Sequence, residues 1–225
     1  MNGRQGTGSD FDDDEYESFA LTDDDSDADL DGDDEDDDDL GDDDLDDDDL
    51  DDDEDDDDDD DELEDADEDD IDFVMAAYTE EGQRSATALT KDLANDLEEL
   101  IHQLRRLPGD AGAVGFVSLV EDFFVIVRVR GRNVQVLLSD GSMAGDWPIA
   151  RDVADFLGLR EIPDEDDGDP IGDLNILGDS GVGEMDMARY CEDVDSGSVQ
   201  VLFQIADKIA VGPVFRQAAE AELDG

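Results

Sequence analysis

The first 70 residues constrain this chain most strongly, because 44 of them are Asp or Glu and only Arg4 is basic. Such a segment has too little apolar surface to offset an ordering entropy of about 1–2 kcal/mol per residue, and its like charges repel one another. The sequence therefore predicts a disordered, Asp-rich arm over residues 1–70 and places any packed core after it.

The remaining 155 residues have the composition of a folded domain. They carry 31 of the 75 acidic residues and 12 of the 13 basic residues, a net charge of −19 against −43 for the arm. A segment of this size buries about 70% of its unfolded surface, which suffices for a core. We expect an α+β domain over residues 71–160, an acidic loop or linker over 161–170, and a helical C-terminal region over 171–225 that packs on the domain or beside it.

The apolar patterns predict an antiparallel sheet of about five strands. A hairpin across Glu81-Gly82 comes first, and a helix with one apolar stripe follows, capped by Thr90 and ended by Pro108-Gly109. Short connections then predict a three-strand meander over residues 114–120, 123–130 and 134–138. Two or three helices are predicted within residues 185–191, 199–210 and 214–223.

Three arginines mark a candidate binding patch. Side chains alternate along the strand over 123–130, so Arg128 and Arg130 share a face and lie near Arg132 at the following turn. The simplest interpretation is a set of outward arginines that pair with neighbouring acids. The alternatives are a patch that binds a partner and a patch that binds the chain's own acidic arm, and the second of these would weaken with salt.

The residue types argue against several classes of function. A single cysteine, Cys191, leaves no internal disulfide and no multi-thiolate zinc site. The sequence shows no secretory leader and no apolar run of about 18 residues that would span a membrane. Its acidic charge argues against binding nucleic acid through phosphates. We therefore expect a cytoplasmic protein without direct nucleic-acid or membrane contacts.

No catalytic, cofactor-binding or metal-binding residues are predicted. The only histidine, His102, lies off the apolar stripe of its helix, and a catalytic pair of His102 with Cys191 is the weakest alternative. Residues 27–32 copy the first half of an EF-hand loop, but position twelve is Asp38 instead of glutamate, so a calcium site is not expected. Trp147 is expected to pack against the sheet.

Three ordered blocks resemble a bacterial family, the tRNA adenosine deaminase-associated proteins. They are EDFFVIVRV at residues 121–129, LLSD at 137–140 and DWPIA at 146–150. The similarity runs from about Asp72 to the C-terminus and leaves out most of the arm. It implies association with the deaminase that makes inosine in tRNA, and it implies no activity, site residue or cofactor. The chain lacks the His-x-Glu and Pro-Cys-x-x-Cys of a zinc deaminase, so it is not that enzyme.

Two functions follow from these observations. The first is a non-catalytic accessory or interaction protein that binds the tRNA adenosine deaminase or another basic protein. The alternative is a polyanionic nucleic-acid mimic, or a chaperone-like binder of basic proteins, that acts through the acidic arm. An enzyme acting on a small molecule is a distant third, because no pocket can be inferred from the sequence.

Overall fold

A computed structural model describes residues 63–109, 112–163, 168–193 and 195–223. The arm over residues 1–62, its predicted disorder and the EF-hand-like stretch lie outside these residues.

Six strands and five α-helices make up the described part of the chain. The strands are β1 (Ile71–Glu80), β2 (Gln83–Ala88), β3 (Ala113–Leu119), β4 (Phe123–Arg130), β5 (Asn133–Leu138) and β6 (Ile171–Gly172). The α-helices are α1 (Leu97–Arg106), α2 (Pro148–Phe156), α3 (Glu184–Cys191), α4 (Gly197–Lys208) and α5 (Gly212–Leu223). Short 3-10 helices span Lys91–Asn95, Gly141–Gly145 and Gly178–Ser180.

The strands form one antiparallel sheet in the order β2-β1-β3-β4-β5-β6. The predicted hairpin is present, with positive φ angles of 52° at Glu81 and 80° at Gly82, as a two-residue type I′ turn requires. β4 pairs with β3 on one side and with β5 on the other, as the predicted meander requires. The predicted α+β class is confirmed, and the described residues contribute six strands to the sheet instead of about five.

The helix after the hairpin begins later than the sequence predicts. Thr90 makes no side-chain cap and precedes only the 3-10 helix Lys91–Asn95. Asp96 caps α1 instead, because its carboxylate accepts a hydrogen bond from the Glu99 N–H at 2.8 Å. A short 3-10 helix therefore separates the hairpin from the α-helix.

Helices cover both faces of the sheet. Val125, Val127 and Val129 of β4 share a core with α1 and α2, whereas Phe124 and Ile126 share a second core with α3, α4 and α5. A strand buried on both faces has apolar residues at nearly every position, which accounts for the continuous apolar run that opens β4. The C-terminal helices are thus the third layer of the domain.

β6 lies where the sequence predicts only a helical region. Its two residues pair with Leu137 and Leu138 of β5, and the Asp173 N–H donates to the Val136 carbonyl at 2.9 Å. A strand of two residues has no periodic pattern, so hydrophobic spacing does not reveal it.

The last residues assigned to the arm contact the domain. The Ala66 N–H donates to Asn95 Oδ1 at 2.8 Å, and Asn95 Nδ2 donates to the Ala66 carbonyl at 3.2 Å. Lys91 Nζ donates to the Glu68 carbonyl at 2.8 Å. Backbone just before β1 is therefore held against the 3-10 helix Lys91–Asn95.

Candidate functional site

Arg128, the first of the three arginines in the predicted patch, is buried beneath the C-terminal layer. Its Nη1 donates to the Ile176 carbonyl at 2.5 Å and to Asp179 Oδ1 at 2.6 Å, and its Nη2 donates to Asp179 Oδ2 at 3.0 Å. Burial lowers the pKa of Arg128, whereas the charge of nearby Asp173 raises it. This guanidinium joins the sheet to the C-terminal layer.

Arg130 and Arg132 lie further along the same end of the sheet. Arg130 contacts the second carboxylate oxygen of Asp179, so one carboxylate bridges two guanidinium groups. Arg132 is exposed in the turn between β4 and β5. The structure therefore brings Arg128 and Arg130 together on Asp179, and the binding of a partner at this patch stays a prediction.

The remaining residues named from the sequence lie apart from one another. His102 is exposed on α1, 3.8 Å from Glu99, whereas Cys191 lies on α3 against the opposite face of the sheet. The sheet separates these two side chains, so they do not form a catalytic pair. Trp147 packs on Phe123 with 5.6 Å between ring centroids, as the sequence predicts.

The described residues hold no group of three or more His, Cys, Asp or Glu side chains placed to bind a metal ion. None of their helices is both long enough and apolar enough to cross a membrane.

An apolar groove runs along the open edge of the sheet at β5. Val134 and Ile171 line it from the sheet, and the end of α2 and the residues after it contribute Phe156, Leu157 and Leu159. These three side chains are 48%, 37% and 40% exposed, and the depression has a volume of about 680 Å³. We call this surface, defined by these five residues, the edge groove.

A cleft between α1 and α2 continues the edge groove, because Val134 and Phe156 line both depressions. Its volume is about 580 Å³. Among the described residues, Arg105 is the one basic residue that lines this cleft. Four carboxylates also line it, and we call them the acidic rim: Asp96, Glu98, Asp152 and Asp155. Asp96, Glu98 and Asp155 are exposed and Asp152 is half-buried, so the cleft has a negative potential that suits a cationic ligand.

Asp152 is the most strongly constrained member of the acidic rim. Its Oδ2 accepts a hydrogen bond from the Leu97 N–H at 3.0 Å and so ties α2 to the start of α1. Burial raises the pKa of Asp152, the neighbouring charges of Asp96 and Asp155 raise it further, and the hydrogen bond from Leu97 opposes them. Cationic groups at the rim would relieve this repulsion between carboxylates.

Sequence reasoning did not identify the edge groove. Phe156 and Leu157 fit the apolar pattern of α2, which favours burial in the core, yet α2 ends beside the open edge and leaves them exposed. Leu159 follows the helix and belongs to no pattern. The clearest signal in the sequence is the run FLGL at residues 156–159, with three apolar residues around the positive-φ residue Gly158.

The fold and the groove define a three-layer α+β domain with one sheet edge covered by only two residues in the part of the chain that is described. Residues 72–212 match the family described as Rv3753c-like tRNA adenosine deaminase-associated protein, and the chain belongs to this family. It is also 31% identical over 137 residues to Protein Rv3753c of Mycobacterium tuberculosis (strain ATCC 25618 / H37Rv), which covers 60% of this chain and 79% of that protein. No solved structure matches the chain.

Proposed function

We propose that this chain is a non-catalytic accessory protein that binds tRNA adenosine deaminase through the edge groove and the acidic rim, in the cytoplasm and without a cofactor. The observation that carries this proposal is the groove itself, where three large apolar side chains are exposed beside an open strand edge. Contiguous exposed apolar surface bordered by polar residues is typical of protein interaction sites. The name of the family to which the chain belongs supports the choice of partner.

The charge distribution favours a basic surface on the partner. Four carboxylates and one arginine line the cleft between α1 and α2, and the chain as a whole has a formal net charge of −62. Such charges accelerate encounter with a cationic surface and repel anionic ones, whereas burial of the apolar side chains retains the partner. The affinity should therefore fall only moderately as salt screens the exposed rim.

The alternative function assigns binding to the acidic arm. An arm with 44 acidic residues among 70 imitates the charge of a nucleic acid and would occupy basic surfaces without regard to their shape. Binding of that kind falls steeply with salt and does not depend on Phe156 or Leu159. The two functions therefore differ in which part of the chain retains the partner.

The test is an affinity measurement between the full chain and the tRNA adenosine deaminase of the same organism, at low and moderate salt. Phe156→Gln and Leu159→Gln should each weaken binding about tenfold or more, because exposed apolar anchors at an interface contribute about 1–2 kcal/mol. Met185→Gln is the matched control, since Met185 is 83% exposed on α3, which packs on the opposite face.

Three results would be decisive. Loss of affinity in the two groove variants, with the control unchanged, supports the accessory function. Equal affinity in all variants, lost when residues 1–62 are removed, supports the polyanion alternative, because both cores lie within the retained residues. No binding of the deaminase by the full chain overturns the proposed partner.

A further inference from the structure

The edge groove has a feature that determines how a ligand would lie in it, namely the direction of the β5 backbone groups. The Ser139 N–H donates to the Phe124 carbonyl at 3.0 Å, whereas the Val136 carbonyl accepts from the Asp173 N–H at 2.9 Å on the other side of β5. Backbone groups alternate in direction along a strand, so those of Val134 point away from β4, as those of Val136 do.

These groups of Val134 lie beyond the reach of β6. Within the described residues, β6 pairs only with Leu137 and Leu138, and the next hydrogen bond from its chain goes to Val136. The N–H and C=O of Val134 therefore face the edge groove. Unpaired groups at a strand edge are a template for an added strand.

The two sides of such an added strand would meet different surroundings. On one side, Val134 shares its core with α1 and α2, and the apolar side chains of Phe156 and Leu157 border it. On the other side, Gln135 Nε2 donates to Asp173 Oδ2 at 2.5 Å, so the surface there is polar. Residues that lie directly opposite each other on neighbouring strands point their side chains to the same face of the sheet. A ligand strand that fits has apolar residues at every second position and polar ones between them.

Charge identifies the polar residues of the ligand. Asp173 lines the edge groove and the acidic rim lines the cleft that continues it, so lysine or arginine side chains are complementary to this surface. A second copy of this chain is a poor occupant, since each copy has a formal net charge of −62 and would bring the same carboxylates to the interface.

We propose that the edge groove binds an extended segment of the partner, with alternating apolar and basic residues, as an additional strand on β5. This inference rests on the proposed function for the identity of the partner, and it adds the mode of binding and the sequence pattern that is recognised. The backbone of Val134 provides the hydrogen bonds, and Phe156, Leu157 and Leu159 receive the apolar side chains.

The first test uses two synthetic peptides of about seven residues. At about 3.3 Å per residue, each is longer than the open part of β5, which runs over residues 133–135. One alternates Lys and Val, and the other has the same composition with all lysines before all valines. Both have the same charge, so general attraction to the acidic chain is matched.

The alternating peptide should slow amide hydrogen exchange at Val134 in the full chain by about tenfold or more, because its backbone pairs with that amide. The block peptide should leave exchange unchanged. Equal protection by the two peptides, or none, would overturn strand addition.

The second test uses the tRNA adenosine deaminase and two variants at one position. Val134→Pro removes the edge-facing N–H and leaves the ladder with β4 in place, since proline is tolerated where the N–H faces away from the sheet. Val134→Thr retains the N–H and the branched shape. Strand addition predicts that Val134→Pro weakens binding about tenfold or more, and that Val134→Thr binds within about twofold of the unmodified chain.

The outcomes separate this inference from the proposed function. If the deaminase binds the unmodified chain and the Val134→Pro variant equally, the proposed function stands and strand addition is wrong. If the deaminase does not bind, while the alternating peptide alone protects the Val134 amide, strand addition stands and the proposed partner is wrong. Exchange at Val134 in the unmodified chain provides the answer even if the proline variant does not fold.

Discussion

Arg128 in the middle of the sheet and Asp179 in the C-terminal layer form a two-point ion pair, with 2.6 Å between Nη1 and Oδ1 and 3.0 Å between Nη2 and Oδ2. The two residues are 51 positions apart in the chain. Arg128 is buried, whereas the Asp179 side chain is 48% exposed. Because only Arg128 is buried, removing Arg128 and removing Asp179 should change the free energy of unfolding by different amounts.

We expect Asp179→Ala to destabilise the protein more than Arg128→Met. The alanine variant leaves a buried guanidinium with the Ile176 carbonyl as its one acceptor among the described residues, at a cost of about 1–3 kcal/mol in the free energy of unfolding. The methionine variant removes the buried charge, and Asp179 remains solvated beside Arg130. Urea unfolding of the single variants and of the double variant measures the coupling between the two positions. The opposite order of stability would show that Asp179, not Arg128, depends on the pair.

Gly115 determines how closely α1 approaches the sheet. A Cβ atom at this position would lie 2.9 Å from Leu104 Cδ1, which is too close for a relaxed contact. Gly115→Ala should therefore lower the free energy of unfolding by about 1–3 kcal/mol, as overpacked cores do. Gly145→Ala is the control, because Gly145 has no left-handed φ and open space around its Cα.

A second substitution checks the cause of this effect. Leu104→Ala opens space beside position 115, so the cost of the double variant should be smaller than the sum of the two single costs. Additive costs in urea unfolding would mean that the loss at Gly115 comes from the backbone, not from the contact with Leu104.

We expect Asp152 to favour the folded state at low pH. Most carboxylates do the opposite, because folding lowers their pKa. Its pKa is raised in the folded chain, chiefly by burial, so the folded state binds a proton more readily than the unfolded state does. The contribution of Asp152 to stability is therefore most favourable below the ordinary carboxyl pKa of about 3.9, and it is lost as pH rises through the raised value.

Asp152→Asn tests this linkage, since an amide oxygen can still accept the Leu97 N–H while the charge is removed. At neutral pH the variant should be more stable than the unmodified chain by about 0.5 kcal/mol or less, a small effect because the group is partly solvated. The difference should shrink as pH falls towards about 4. Thermal unfolding of both proteins across this range measures it, and a difference that grows on acidification would contradict the raised pKa.

Much of the sheet could be predicted from the sequence because its signals are local. The hairpin at Glu81-Gly82 and the meander depend on turn residues and on strands joined by a few positions, and these features specify antiparallel neighbours directly. Val125 and Val127 alternate with Phe124 and Ile126 along β4, and the two pairs lie in different cores, as alternation along a strand requires. Apolar residues on both faces also indicate that a layer covers each of them.

Long-range features were not predictable in the same way. β6 joins the sheet 33 positions after the residue of β5 that it pairs with, through two residues that carry no pattern. The burial of Arg128 depends on Asp179, which only the folded chain brings beside it. The edge groove exists because α2 ends at the sheet edge, and that position is set by packing against α1 and the 3-10 helix Gly141–Gly145.

Cys191, which is half-buried, should react more slowly in the folded chain than in the unfolded chain. Burial, with a smaller contribution from the charge of Glu192, raises the pKa of the Cys191 thiol to about 12, well above that of an unperturbed cysteine. The thiolate is the reactive form, so the raised pKa leaves a smaller fraction of the folded protein reactive at a given pH. Iodoacetamide at slightly alkaline pH should therefore label the folded protein very slowly and the urea-unfolded protein at the rate of a free thiol. Because the chain has one cysteine, the intact mass reports this site alone. Labelling of the folded protein at the unfolded rate would show that α3 separates from the sheet readily, since Met187 and Tyr190 otherwise hold this helix in the second core.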